Sequence, residues 1–445
     1  MPKFVITTLG CKVNQYDSEA IARELIAENW SSAGDEGPVE LCVINTCTVT
    51  GKAAMQSRQA VRKAIREHPQ AQIVVTGCYA QTSPAEIQTI HGVDYVLGNA
   101  EKDRIPDLVQ PGSKAKRKEP VILCEAIAGQ RRLEPSPGAV AVNRTRPLLK
   151  IQDGCNAFCT YCIVPHARGR SRSLPIGEVL ANMRLLAEAG FQEVVLTGVH
   201  LGSYGLDLSP KVNLNALLAH INDEQPVSRV RLSSLEPLEL SEEIIQTVAA
   251  SRTICRHFHI PLQSGDDHIL RRMNRPYSST YVSKLVETIV YRIPNAAIGF
   301  DTLIGFPGES EEAFAHTYGL VAELPVAYLH VFPFSPRPET AAAAFDDQVP
   351  SPLVQKRCRR MRRLSQAKRQ SFYARFVGRQ LEVLVETNRD RDSSMLKGLS
   401  SNYIPVLFEG ADNLQNRIIG VTVEGVGDNG QPFGSISPKT SPVPS

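Results

Sequence analysis

GCNAFCTYC, residues Gly154–Cys162, is the stretch from which the rest of the chain is read. Its cysteines, Cys155, Cys159 and Cys162, stand at i, i+4 and i+7, a CxxxCxxC spacing. Three thiolates so close can wrap one iron–sulfur cluster and leave its fourth iron without a protein ligand. An open metal position is where substrate chemistry takes place, by the logic that separates catalytic from structural zinc. Zinc sites usually show paired CxxC knuckles, and none is present. Three buried or fortuitous thiols are the bland alternative; the surroundings favour a catalytic iron–sulfur site.

Just before this loop, PLLKIQD reads as a strand, and strand–helix alternation continues to about Pro338. EVVLTG, RVRLSS, HFHIPL, AIGFDTLIG and YLHVFPF are the further strands, with helical patterns between them. About six parallel strands predict an incomplete α/β barrel over 145–350, its cluster loop at the C-terminal rim.

The same alternation runs through 1–110, where FVITTLG, LCVINT and QIVVTG are strands of an open parallel α/β domain. Cys11, Cys47 and Cys78 each lie one residue beyond such a strand. Strand C-terminal ends line one crevice in an open parallel sheet, so these thiols converge at metal-ligand density. Unrelated core thiols are the alternative, and Cys42, inside a strand, fits it. The repeated position at the other three favours a second cluster site. Residues 111–144, with the basic PGSKAKRKEP and the loop-like EPSPGAVAVNRTRP, read as a linker that contains a structural Cys124.

A basic helix is expected over 351–376, opened by Ser351-Pro352. Val354, Cys358, Met361, Leu364, Phe372 and Phe376 form its apolar stripe. Between Lys356 and Arg379 stand ten Lys/Arg and no acidic residue, which favours a polyanionic partner over a merely solvated face. LEVLVE, NYIPVLFE and IIGVTVEGV make 377–437 a small all-β barrel of slightly negative charge. The terminal GDNGQPFGSISPKTSPVPS, including the tail 438–445, reads as disordered.

The 445 residues exceed one ordinary core, and 42% hydrophobic with 21% charged residues describes a soluble globular protein. No run of eighteen apolar residues and no signal-peptide pattern appear, so no membrane association and a cytoplasmic location are expected. There the ten cysteines serve metal or redox chemistry rather than disulfides. A net charge of +3 requires any nucleic-acid surface to be local.

Together TLGCKVNQYDSEA, CVINTCTVT, VTGCYAQ, GCNAFCTYCIVPHARGR, HIPLQSG and IGFPGE resemble the radical S-adenosylmethionine methylthiotransferase family, over nearly the whole chain. The carboxy-terminal segment is similar to a TRAM domain, a small RNA-binding barrel. Within the family, LGCKVNQYDSEA, Ala167-Arg168 and TGVHLGSYG resemble the branch that converts N6-threonylcarbamoyladenosine at tRNA position 37 to its 2-methylthio form. Its isopentenyladenosine and ribosomal-protein branches are the alternatives. The resemblance implies two 4Fe-4S clusters. Cys155, Cys159 and Cys162 would hold one whose open iron binds S-adenosyl-L-methionine, cleaved on reduction to a 5′-deoxyadenosyl radical. Cys11, Cys47 and Cys78 would hold the other, which carries the sulfur.

Such chemistry suits carbon 2 of adenine, whose unactivated C–H bond acid–base catalysis cannot usefully break. It also requires the crevice of the first domain to face the barrel mouth. For S-adenosylmethionine, Thr197-Gly198 stands where many radical enzymes carry Gly-Gly-Glu, and Ser234 and Glu236 follow a strand. Gly305 and Gly308 are candidates for close approach to the adenine. Arg168, Arg170 and Arg172 are candidates for tRNA phosphate or the threonylcarbamoyl carboxylate. His166, His200, His257 and His259 show no ligand spacing and are expected to pack or to hydrogen-bond. The implied partners are tRNA and an electron donor such as a flavodoxin or ferredoxin; the sulfur donor is unknown, and a monomer is the default.

Overall fold

The computed structural model describes residues 1–33, 38–109, 117, 119–133 and 144–437. The tail 438–445 and much of the expected linker therefore lie outside the described residues.

The amino-terminal domain is a six-stranded parallel sheet in the order Ser31–Ser32, Lys3–Thr8, Leu41–Thr46, Gln72–Gly77, Tyr95–Leu97, Val121–Leu123. LCVINT and QIVVTG are buried at every position, as central strands covered on both faces must be. Separate apolar clusters fill the two sides: Ile44, Ile73 and Val75 on one, Val43, Val74 and Leu97 on the other. Val121–Leu123, inside the segment read as a linker, is a short half-buried edge strand beside Tyr95–Leu97. The thiol of Cys124, which follows it, lies by the carbonyls of Ala80 and Val96.

The central domain carries all six strands expected from sequence, in two parallel three-stranded sheets. Leu148–Lys150, Glu193–Thr197 and Arg229–Leu232 form one; His257–Gln263, Ala297–Ile304 and Tyr328–Pro333 form the other. A parallel bridge from Val230 to Ile254 leads from the first sheet to the second. One apolar core spans both and includes Tyr16 from the amino-terminal domain, so the two domains share it.

The Ser351–Ala374 helix closes the core with Val354, Cys358 and Met361, and places Phe372 in the core of the next domain. Four of its region's cations are taken by the fold itself. Arg357 is buried against Glu309 (2.8 Å) and Glu311 (3.1 Å), and Arg360 also meets Glu311 (3.1 Å). Lys368 donates to the carbonyls of Ala322 and Leu324, and Arg375 to that of Pro294. The unopposed charge is thus smaller than its sequence implies, because the acceptors come from distant segments.

The carboxy-terminal domain is a closed barrel of Gln380–Val385, Leu396–Ser400, Pro405–Phe408, Pro432–Ile436 and Ile418–Val426. Pro432–Ile436 corrects the reading of the terminal segment as disordered from Gly427: it pairs with both Ile418–Val426 and Pro405–Phe408. Closure of the barrel orders a stretch too polar to signal a strand by itself. Among the described residues, no helix is long and apolar enough to cross a membrane.

Candidate active site between two cysteine triads

The 154–162 loop leaves the rim of the barrel at Gly154, whose φ is +75°; a Cβ there would lie 2.0 Å from the carbonyl oxygen of Arg170. Glycine is required for that approach. The loop is then tied down by backbone bonds from Cys155 to Gly169 (3.0 Å) and from Thr160 to Met273 (3.2 Å). Cys155, Cys159 and Cys162 line one cavity of about 380 Å³. Burial pushes the Cys162 thiol up to about 12, and neighbouring Cys159 and Cys155 push the same way. Burial raises Cys159 too, against the Arg275 guanidinium.

In the amino-terminal domain Cys11, Cys47 and Cys78 converge as their strand-end positions predict. Burial pushes Cys47 up to about 12, and Cys78 and Cys11 add to the effect. Gly77, with φ +95°, turns the chain sharply so that Cys78 opens a short helix; a Cβ there would lie 2.4 Å from Asn45. Asn14 and Asn99 flank the Cys78 sulfur at 3.9 and 3.8 Å. Cys42, Cys255 and Cys358 are buried core thiols.

Each triad suits a metal cluster by its donor set. A metal deprotonates coordinating thiols outright, including Cys47, Cys159 and Cys162, whose affinity for protons burial raises. A buried cation stands beside each set, Arg275 at the first and Arg168 at the second, to balance the thiolate charge.

The loop after one triad borders the cavity that the other lines. Val49 and Thr50, just past Cys47, form part of the wall of the cavity that Cys155, Cys159 and Cys162 line. Arg337 donates to Thr48 Oγ1 (2.7 Å), Ser335 accepts from the Gly51 amide (2.9 Å), and Asn99 donates to the Ala167 carbonyl (2.7 Å). Each of these bonds joins the two domains next to a cysteine loop.

Arg168 is not a surface residue awaiting an anion. Its side chain is 2% exposed. One guanidinium nitrogen bonds both carboxylate oxygens of Asp153 at 3.0 Å; another reaches Asp17 (2.9 Å) and Asn14 on the amino-terminal domain. Lys102 (2.6 Å) and Lys150 (2.5 Å) also hold Asp17. Burial favours the neutral acid, yet these cations keep Asp17 and Asp153 well below the usual carboxylate range. Arg172 is buried too, donating to the Arg168 carbonyl (3.1 Å). Both guanidinium groups are held by partners within the fold, and of the three arginines Arg170 alone is exposed.

Thr197 is buried at the end of its strand, and Gly198 backs onto Gln152, so the cavity wall is formed by the next residues, Val199 and His200. Ser234 and Glu236 do line the cavity. Ser234 meets His259 Nδ1 (3.0 Å), and Glu236 pairs with Arg275 (2.7 Å). Gly305 packs on Val354, and Gly308 faces Arg272 and Asp347, which places both away from the cavity. His166 meets Phe158 edge-on, and His257 stacks on Tyr403, as packing residues do.

Two features had no signal in the sequence. His200 Nδ1 lies 3.3 Å from Cys155 Sγ, and Nε2 lies 2.6 Å from Glu239. Burial disfavours its cation, but Cys155 and Glu239 together raise it to about 10. Asp301 on the cavity wall is bonded by His259 (2.8 Å) and His330 (3.2 Å). Burial opposes its charge, and these two histidines hold it down at about 2.

Residues 3–98 match the model of the uncharacterized protein family UPF0004, and residues 149–321 that of the radical SAM superfamily. The chain is 37% identical over 419 residues to the threonylcarbamoyladenosine tRNA methylthiotransferase MtaB of Bacillus subtilis (strain 168), covering 94% of this chain and 92% of the relative. The MtaB of Aquifex aeolicus (strain VF5) is 37% identical over 409 residues, with 92% and 97% covered. The tRNA-2-methylthio-N(6)-dimethylallyladenosine synthase of Pelotomaculum thermopropionicum is 32% identical over 434 residues, with 96% of each chain covered. In fold, the chain is similar to the radical S-adenosylmethionine methyltransferase TsrM of Kitasatospora setae (TM-score 0.59, 15% identity, 77% of each chain covered). With one cysteine triad lining a cavity that the loop after Cys47 of the other helps to wall, and relatives matched along nearly its full length, the chain belongs to the radical S-adenosylmethionine methylthiotransferase family.

Proposed function

We propose that the chain converts N6-threonylcarbamoyladenosine at tRNA position 37 to its 2-methylthio form. Two separate cysteine triads, one lining a cavity that the loop after Cys47 of the other helps to wall, support a reaction with two metal centres. The MtaB relatives, at 37% identity, support this nucleoside as the substrate.

In this reading Cys155, Cys159 and Cys162 would hold a 4Fe-4S cluster that binds S-adenosylmethionine, and Cys11, Cys47 and Cys78 would hold a second. Bound there, the two centres supply a radical able to abstract the C2 hydrogen and the sulfur that replaces it. Ser234 and Glu236 orient S-adenosylmethionine from the cavity wall, Glu236 with its charge balanced by Arg275. Val49 and Thr50 narrow the space between the triads and keep water from it. Arg170, the outward cations Lys356, Arg359, Arg362 and Arg363, and the TRAM-like barrel meet the tRNA backbone. A flavodoxin or ferredoxin delivers electrons to a monomeric enzyme in the cytoplasm.

The test is mass spectrometry of digested tRNA from cells with and without the gene. Loss of 2-methylthio-N6-threonylcarbamoyladenosine with accumulation of its precursor is expected. Unchanged nucleosides, in cells with no redundant enzyme, would overturn the reading. A loss confined to the N6-dimethylallyl nucleoside would move the substrate to that branch, and a missing methylthio group on a ribosomal protein to the protein-modifying one.

A further inference from the structure

In the sheet of His257–Gln263, Ala297–Ile304 and Tyr328–Pro333, side chains alternate between two environments. Ile260, Phe300 and Leu329 enter the apolar core. The alternate positions carry His257 and His259, then Asp301, then Tyr328 and His330. Interior positions of such barrels are ordinarily filled by branched aliphatic residues, so a polar face here is a departure.

Gly299 shares that face and stands opposite Tyr328, where a Cβ would collide with the phenol ring. Glycine weakens a strand interior, and here it admits the close approach of that ring. So seated, Tyr328 bonds His257 Nε2 (2.8 Å) and packs beside His259 and His330 at 6.0 and 5.3 Å between ring centroids. His330 meets His259 edge-on at 4.8 Å. The His259 imidazole is thus confined on two sides, and its side chain is 13% exposed.

This one ring holds two groups of the cavity wall. Its Nε2 lies 2.8 Å from Asp301 Oδ1, and its Nδ1 lies 3.0 Å from Ser234 Oγ. Ser234 follows the Arg229–Leu232 strand of the first sheet and Asp301 belongs to the second, so the imidazole spans the junction between them. Both residues line the cavity that Cys155, Cys159 and Cys162 line. An ionised carboxylate only accepts, so Nε2 carries a hydrogen and donates to Asp301. In the neutral ring Nδ1 then accepts from the Ser234 hydroxyl. That leaves lone pairs on Ser234 Oγ, and Asp301 Oδ2 has no hydrogen-bond partner among the described residues. A ligand meeting these two groups must bring donors, and S-adenosylmethionine does so in its ammonium and hydroxyl groups.

We propose that His259 is a positioning residue for S-adenosylmethionine: by fixing the Ser234 hydroxyl and the Asp301 carboxylate in one arrangement, it makes them a paired acceptor for the cofactor's donors. The inference rests on the reading of this cavity given above.

The test is equilibrium dialysis of S-adenosylmethionine against the cluster-loaded enzyme, with iron content measured alongside. His259→Phe keeps a ring and removes both nitrogens. Binding about 10-fold weaker is expected, the worth of one to two neutral hydrogen bonds, with iron content unchanged. His259→Gln, whose amide can still donate to Asp301, recovers part of the loss. Ser234→Ala costs less affinity in the His259→Phe background than in the wild type, as coupled neighbours do. Wild-type affinity in His259→Phe, or additive losses in the double variant, overturns the proposal. So does a fall in iron content, which would make His259 a packing residue. Formation of 5′-deoxyadenosine separates the two readings. A wild type that never forms it defeats the reading of the cavity and this proposal with it, whereas one that forms it while His259→Phe binds normally defeats only the role of His259.

Discussion

Replacing Arg168 with methionine tests whether a buried charge network joins the cysteine domain to the barrel. The substitution keeps much of the side-chain volume and removes the guanidinium that links Asp153 to Asp17 and Asn14. Removing one partner of a buried ion pair costs about 3–5 kcal/mol when the other is left uncompensated. Here Asp17 keeps Lys102 at 2.6 Å and Lys150 at 2.5 Å, and Asp153 keeps Lys150 at 3.2 Å. The cost therefore falls at the low end, about 3 kcal/mol, or roughly 150-fold in a local opening equilibrium. Native-state hydrogen exchange reads this directly. Amides of the Lys12–Ala27 helix, which carries Asn14 and Asp17 across the boundary, should exchange faster by about that factor. Those of the Ser279–Arg292 helix, which packs Val282, Val286 and Ile289 into the barrel core, should not. Arg168→Lys keeps the charge without the fork and should fall between. Unchanged exchange in Lys12–Ala27, or an equal rise in both helices, would refute the idea that Arg168 holds the domains in register.

The same reasoning extends to three further sites. Arg231→Met should release the carboxy-terminal barrel, because Arg231 bonds the carbonyls of Ser400 and Ser401 and neutralises fully buried Glu193. A loss of about 3 kcal/mol and protease cleavage near Gly378 are expected, and wild-type resistance would count against it. His200→Ala removes a hydrogen bond to the Cys155 sulfur at 3.3 Å. Its cluster should be reduced at lower potential in voltammetry with iron content unchanged, and an unaltered potential would deny His200 that tuning role. Asp17 and Asp153 have an ordinary value of 3.8 and are held below it in the fold. Their stabilising contribution is present above about pH 4 and is lost as pH falls further, so Asp153→Asn should flatten the acid limb of a stability–pH curve. An equally steep limb would place the acid sensitivity elsewhere.

Repeated position made the metal-binding chemistry legible in the sequence. Cys11, Cys47 and Cys78 each follow an apolar strand, and parallel topology alone brings such residues to one edge. The six barrel strands were legible for the same reason, as apolar runs at regular intervals. Val121–Leu123 was not, since three residues at a sheet edge, Ile122 exposed between two half-buried neighbours, carry too little pattern to separate from a linker. Pro432–Ile436 was hidden by its glycine, serine and proline neighbours and is a strand only because the barrel closes through it.

Arg168 shows a deeper limit. A run of arginines after a cluster loop reads as solvated or anion-seeking, and burial was decided by Asp17 and Asn14, some 150 positions earlier in the chain. Long-range charge pairing leaves no periodicity to read. Gly198 is similar: its neighbour Gln152 fills the place where a cofactor contact was expected.

Iron analysis and turnover of two triple variants bear most directly on the claim that two clusters face one substrate. With both triads loaded, the wild type should hold about eight irons, and each triple variant about four. Cys11/Cys47/Cys78→Ala should still cleave S-adenosylmethionine to 5′-deoxyadenosine while adding no sulfur to tRNA. Cys155/Cys159/Cys162→Ala should do neither. If the first variant kept all its iron, or still methylthiolated tRNA, the amino-terminal triad would not be a cluster site and the two-centre reading would fail.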